Sequence, residues 1–192
     1  TTLREVLQRL ARDGWLSIQH GKPTRVNNVW ETAGPNIIST LIKLDKSTIP
    51  MIITNVVSLR TRMGEYYIPE AIRIDSQASL ALFSSLDELE DSAQAYAAFD
   101  YNLYRSFTFI ANKPVYGLIL NSFKDLYHQV AILVFKDAQY RKATLAFYRE
   151  LQQICLQGNI QQAPECMAQN RIRSSSYWVE ILKNLPDNFG EG

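Results

Sequence analysis

The sequence predicts a mainly α protein, a short helix-and-hairpin head followed by an antiparallel helical bundle of about seven helices joined by short loops. Three observations predict it. Apolar residues recur at three- and four-residue spacing along nearly the whole chain after position 35. Strand-like stretches are confined to residues 15–28, and a proline or a cap-forming residue opens most periodic segments. The 192 residues are 46% hydrophobic and 11% aromatic with only 8 Gly and 7 Pro, which suits one substantial core and excludes disorder and low complexity.

In chain order, Leu3, Val6, Leu7 and Leu10 share one face of a first helix, which Asp13-Gly14 ends. Trp15-Leu16-Ser17-Ile18-Gln19 reads as a strand, His20-Gly21-Lys22-Pro23 as a turn and Thr24-Arg25-Val26-Asn27-Asn28 as the returning strand. A lone helix and a two-stranded hairpin cannot bury their own apolar stripe. The chain also starts inside that helix without an initiator Met, so an upstream part of the head is expected to be missing. Residues 29–34 read as a linker. Pro35 starts a helix carrying Ile37, Ile38, Leu41 and Ile42, and Pro50 starts a second carrying Ile52, Ile53, Val56, Val57 and Arg60. Ser76 to Leu89 forms a third, and Ser92 to Ala111 a fourth rich in Tyr96, Phe99, Tyr101, Tyr104, Phe107 and Phe109. Pro114 starts a fifth reaching Phe135, Asp137 caps a sixth reaching Leu156, and Gly158 separates a seventh that stops before Pro186.

Several function classes drop out. No GxSxG, HExxH, GxxxxGK[ST] or GxGxxG motif is present, so no enzyme is expected. His20, His128, Cys155 and Cys166 are too scattered to supply the roughly four ligands of a structural zinc, so neither a metal nor a cofactor is expected. No apolar run approaches the roughly 18 residues of a membrane span. The two cysteines suggest no disulfide framework, so a cytoplasmic protein without a membrane partner is expected. Net charge is +1, yet residues 1–30 carry five Lys/Arg against two acids while residues 31–192 carry fifteen against seventeen. A basic end on a mildly acidic body fits an attached nucleic-acid-binding element, and it equally fits a solvated helix face.

The run Thr1-Thr2-Leu3-Arg4-Glu5-Val6-Leu7-Gln8-Arg9-Leu10-Ala11-Arg12-Asp13-Gly14-Trp15-Leu16 resembles, with the His20-Gly21-Lys22-Pro23 hairpin, the recognition helix and wing of GntR-superfamily winged-helix repressors. Asn27-Asn28-Val29-Trp30-Glu31, Asp100-Tyr101-Asn102, the segment Pro114 to Asn121 and Lys183-Asn184-Leu185-Pro186 narrow the resemblance to that superfamily's fatty-acid-metabolism regulators. The resemblance covers nearly the whole chain. It implies a partial winged helix-turn-helix DNA-binding domain at residues 1–28 (a recognition helix plus a two-stranded wing), a linker at 29–34 and an acyl-CoA-sensing domain at 35–192. The implied protein is a homodimer on double-stranded operator DNA that represses fatty-acid degradation genes and activates unsaturated fatty-acid synthesis. Long-chain acyl-CoA would release it, and the missing upstream part would be needed for tight binding.

By that resemblance the DNA contacts are Thr1, Thr2, Arg4, His20, Gly21 and Lys22. Their chemistry suits the task, since hydroxyls and helix amides bond phosphate and a guanidinium forks onto guanine. His20 taken alone is a surface turn histidine. The acyl-CoA contacts implied are Arg60 and Lys183 for phosphates, Trp178 for the adenine or pantetheine arm, and Ser174 for a carbonyl or amide. Tyr104, Tyr127 and Tyr148 would line the acyl pocket. By spacing alone Trp178 is a core or interface anchor and the tyrosines are ordinary core. The chain departs from the family pattern at Asn170-Arg171-Ile172-Arg173-Ser174, where Arg171 replaces a glycine and Arg173 an acid. Added cations would either grip CoA phosphates or, at Arg171, block the thioester site. Metal-binding relatives use an Asp and three His; here Asp100 is kept and Arg105 stands for a His, so a guanidinium is expected to take the place of ligand and cation together. Two other readings stay open: a same-family regulator with a weakened or lost effector response, and an acyl-binding or thioesterase-like helical protein whose basic head is incidental.

Overall fold

Thr2 and Glu5 set the first boundary. In the computed structural model, which describes residues 2–191, the Thr2 hydroxyl accepts the Glu5 N–H and the Glu5 carboxylate accepts the Thr2 N–H, a capping box that starts helix α1 (Leu3–Arg12). Strands β1 (Leu16–Ser17) and β2 (Arg25–Val26) pair antiparallel, Leu16 opposite Val26 and Ser17 opposite Arg25. The turn between them is closed by Lys22 N–H to Gln19 C=O at 3.1 Å, with Gly21 at φ +74° in its third position.

The segment expected as a linker contains regular structure. Val29–Thr32 forms one helical turn, α2, capped by Asn28 and tied to the head. Thr32 Oγ1 donates to the Gly14 carbonyl at 2.7 Å and Asn27 Nδ2 donates to the same oxygen at 3.1 Å. Gly14 has φ +90°, and a Cβ there would lie 2.7 Å from the Ala33 Cα, so only glycine allows this approach.

The body follows. A 3₁₀ turn at Pro35–Ile37 leads into α3 (Ile38–Leu44), and α4 (Ile49–Ile74) runs 26 residues with Pro50 in its first turn. Then come α5 (Ser76–Ala81), α6 (Ala93–Ile110) behind its Ser92 cap, α7 (Pro114–Ser122) and α8 (Lys124–Phe135). Asp137 caps α9 (Ala138–Gln157), which ends at left-handed Gly158, and α10 (Ala163–Lys183) closes the body.

Ten α-helices are therefore present among the described residues, two more than the head helix and seven body helices expected, because α2 is added and one expected helix is split. The expected helix from Pro114 to Phe135 breaks at Phe123, whose ring is buried at the corner between α7 and α8. The expected third helix stops at Ala81, and a 3₁₀ turn at Leu86–Glu88 carries Leu86 inward instead. Periodicity records which residues point inward, and a bend that keeps both halves facing the core leaves it unchanged.

Helix α4 lies between α6 and α10; α6 also packs on α7 and α8, and α9 packs on α5 and α10. One continuous core joins them, centred on Tyr67, Ile68, Ile72, Phe107, Tyr148 and Leu151. Beyond α10, Phe189 buries itself beside α3, where the Gly190 backbone meets Ile42. Within residues 2–34, by contrast, Gly14 is the sole buried residue, and Leu3 on the apolar stripe of α1 is 75% exposed. The head does not enter the body's core.

Candidate functional site

Of the expected DNA contacts, Thr1 lies outside the described residues. Thr2, Arg4, His20, Gly21 and Lys22 are all exposed, the first two at the start of α1 and the others at the hairpin tip. Trp15 N–H donates to the Leu10 carbonyl at 2.9 Å, so helix and hairpin form one small unit.

The expected ligand residues separate into two groups. Arg60, Tyr104, Tyr127 and Tyr148 converge inside the body on a residue the sequence reading did not single out as a contact, Asp100. One Asp100 carboxylate oxygen accepts from Arg60 and from the Tyr127 hydroxyl; the other accepts from the Tyr148 hydroxyl at 2.6 Å. Arg60 Nε donates to Tyr127 at 2.6 Å, and the guanidinium lies 3.6 Å from the centroid of the Tyr104 ring. Burial opposes the Arg60 charge, but Asp100 and the surrounding tyrosines outweigh it and hold its pKa well above the ordinary value. Burial pushes the Tyr104 hydroxyl up to about 12 and raises Tyr127 and Tyr148 strongly, so all three are neutral near neutrality and the latter two donate to Asp100.

Two expectations change here. Arg60 was expected to meet phosphates, yet its side chain is 15% exposed and committed to Asp100. Arg105 was expected to stand in for a metal and its ligand beside Asp100, yet it donates to Asn121 Oδ1 at 2.9 Å and stacks on Phe109. Five residues past Asp100, Arg105 is rotated about 140° around the helix and cannot face the same way. The guanidinium on Asp100 is Arg60. Asp100 was legible as an acid on the buried row of α6 with Tyr96, Leu103, Tyr104 and Phe107.

Arg60, Asp100 and Tyr127 form the polar end of an internal cavity walled by Ile53, Val56, Val57, Leu126, Val130, Val134 and Phe135. It holds only about 30 Å³, space for a water or two. Outside it, between α4 and α10, runs a groove of about 270 Å³ lined by Ser58, Thr61, Arg62, Arg171, Ser174 and Trp178 among others. Ile53, Val57 and Trp178 line both spaces. Ser174 and Trp178 are therefore groove residues. Lys183, the last residue of α10, is exposed and does not line the groove. Of the two cations where the chain departs from the family pattern, Arg171 lines the groove and pairs with Glu65, while Arg173 does neither.

No group of three or more His, Cys, Asp or Glu suited to a metal occurs among the described residues, and no helix there is long and apolar enough to cross a membrane.

Comparison with known proteins places this architecture. The family model described as the FadR C-terminal domain matches residues 27–190. The fatty acid metabolism regulator protein of Haemophilus influenzae strain Rd is 55% identical over 191 residues, covering 100% of this chain and 79% of that protein. Its namesake from Pasteurella multocida is 47% identical over 191 residues with the same coverage, and that from Klebsiella pneumoniae 45% over 186 residues, covering 97% of this chain and 78% of that protein. With a family match over the whole helical body and identity running end to end, the chain belongs to the FadR family of fatty acid metabolism regulators.

Proposed function

We propose that this chain is an acyl-CoA-responsive, DNA-binding regulator that represses fatty-acid degradation genes and activates unsaturated fatty-acid synthesis genes. The observation that carries the ligand half is the shared lining: Trp178, Ile53 and Val57 border both the outer groove, where Arg62, Arg171 and Ser174 stand among apolar side chains, and the small inner cavity. A ligand with a polar carrier and a long apolar tail fits such a pair of spaces. The CoA arm lies along the groove by Ser174 and Trp178, with Lys183 at its far end. The tail passes Trp178 and enters between α4 and α8, toward Tyr104, Tyr127 and Tyr148.

The inner cavity is too small for that tail as it stands, so binding has to part the core. The energy is available, because burying methylenes at about 0.8 kcal/mol each gives a sixteen-carbon chain on the order of 10 kcal/mol gross, against states that differ by a few. The head supports the DNA half: Arg4 at the start of an exposed helix suits the major groove, and His20, Gly21 and Lys22 at the hairpin tip suit the neighbouring minor groove, as in winged helices. As a homodimer, a shift of one head against the other changes the fit to half-sites roughly 34 Å apart. A coupling of about 1 to 3 kcal/mol then changes occupancy roughly 5- to 150-fold.

Calorimetry with oleoyl-CoA and acetyl-CoA tests the reading. Oleoyl-CoA is expected to bind far more tightly; equal affinities would remove the tail cavity from the account.

A further inference from the structure

Glu65 on α4 holds two groove-lining arginines at once. One carboxylate oxygen accepts from Nε of Arg171 across the groove on α10, and the other accepts from Nη1 of Arg62, one turn away on α4, at 3.2 Å. Glu65 is 19% exposed, Arg171 37% and Arg62 64%. Glu65 does not line the groove, whereas Arg62 and Arg171 do, beside Ser174, Ser175 and Trp178. The Nη groups of Arg171 make no hydrogen bond among the described residues. One half-buried acid thus holds two cations that both line the space a ligand would occupy.

We propose that Arg171 and Arg62 form an anion site for the phosphorylated part of a thioester carrier, with Glu65 as the internal counter-ion that occupies them when the groove is empty. The inference rests on the acyl-thioester reading above. A phosphate meets a guanidinium through two parallel N–H donors, a stronger match than the single Nε contact Glu65 makes with Arg171. It therefore competes with Glu65, loosens the link between α10 and α4, and leaves the ligand bridging the two helices. Arg171 is then a specificity residue, favouring phosphorylated over uncharged thioesters, and not an obstruction.

The test is calorimetry on the full chain with palmitoyl-CoA and with S-palmitoyl-pantetheine, which carries the same tail and thioester and no phosphate. Arg171→Gln is expected to weaken palmitoyl-CoA about fivefold to tenfold and to leave palmitoyl-pantetheine within about twofold, which also shows that the variant folds. Glu65→Gln is expected to tighten palmitoyl-CoA about threefold, because both cations lose their resident counter-ion. The proposal is overturned if Arg171→Gln tightens both ligands alike, or if neither variant changes the ratio of the two affinities. Failure of the unaltered chain to bind either ligand overturns the thioester reading itself, and this inference with it.

Discussion

Asp100 is the one charged residue among the buried ones described, and it makes the body's interior depend on partners. Replacing it by leucine leaves Arg60 inside without a counter-ion and takes the acceptor from Tyr127 and Tyr148. A loss of about 3 to 5 kcal/mol is expected. Adding Arg60→Met should recover most of that, since an apolar pair of similar volume needs no partners. Urea unfolding of the single and double variants decides it; equal stability of the two would mean the pair is not a coupled unit. The buried hydroxyls and thiols predict a pH dependence. Burial raises Tyr104 to about 12, Cys155 to about 11 and Cys166 to about 12. Each folded-state value lies above the unfolded one, so in alkali the folded form holds protons that the unfolded chain releases. Stability is complete below about pH 9 and falls as pH rises toward those values. Urea midpoints measured on both sides of that limit should fall on the alkaline side. For the same reason both thiols should react with an aromatic disulfide only once the chain is unfolded.

Two helices owe their seating to a missing side chain. On α4, a Cβ at Gly64 would lie 2.7 Å from Cε1 of Tyr104, the ring on which Arg60 stacks. Gly64→Ala is expected to cost about 1 to 3 kcal/mol in thermal or urea unfolding by pushing that ring off the guanidinium; a neutral result would mean α4 and α6 can separate freely. At α2 the dependence is on Gly14. Gly14→Ala should release the Thr32 and Asn27 hydrogen bonds and raise proteolytic nicking across residues 27–37, while the melting of the helical body barely moves. Unchanged nicking would show the linker held by something else. Element boundaries were legible wherever a local cap sets them, as with Ser92, Asp137 and Gly158. The corner at Phe123 was not, because neither proline nor glycine marks it and the ring that turns inward is chosen by its neighbours.

For the molecule as a whole, a cavity of about 30 Å³ beneath a groove of about 270 Å³ means that a long tail has to displace core packing. Hydrogen exchange should therefore change along α4 and α8 with oleoyl-CoA and stay as in the free chain with acetyl-CoA. Uptake of oleoyl-CoA with an unchanged pattern would contradict that. The sequence by itself determined the helical class, the inward faces, the exposed basic head and the family, because periodicity, caps, charge and motif are local properties that survive without coordinates. Tertiary structure alone decided that Arg60 turns inward to Asp100, forty positions away, that Arg171 meets Glu65 across 106 positions, and that Trp178 lines two spaces at once. A charged side chain's partner is whichever opposite charge the fold brings within reach, and sequence distance carries no information about that.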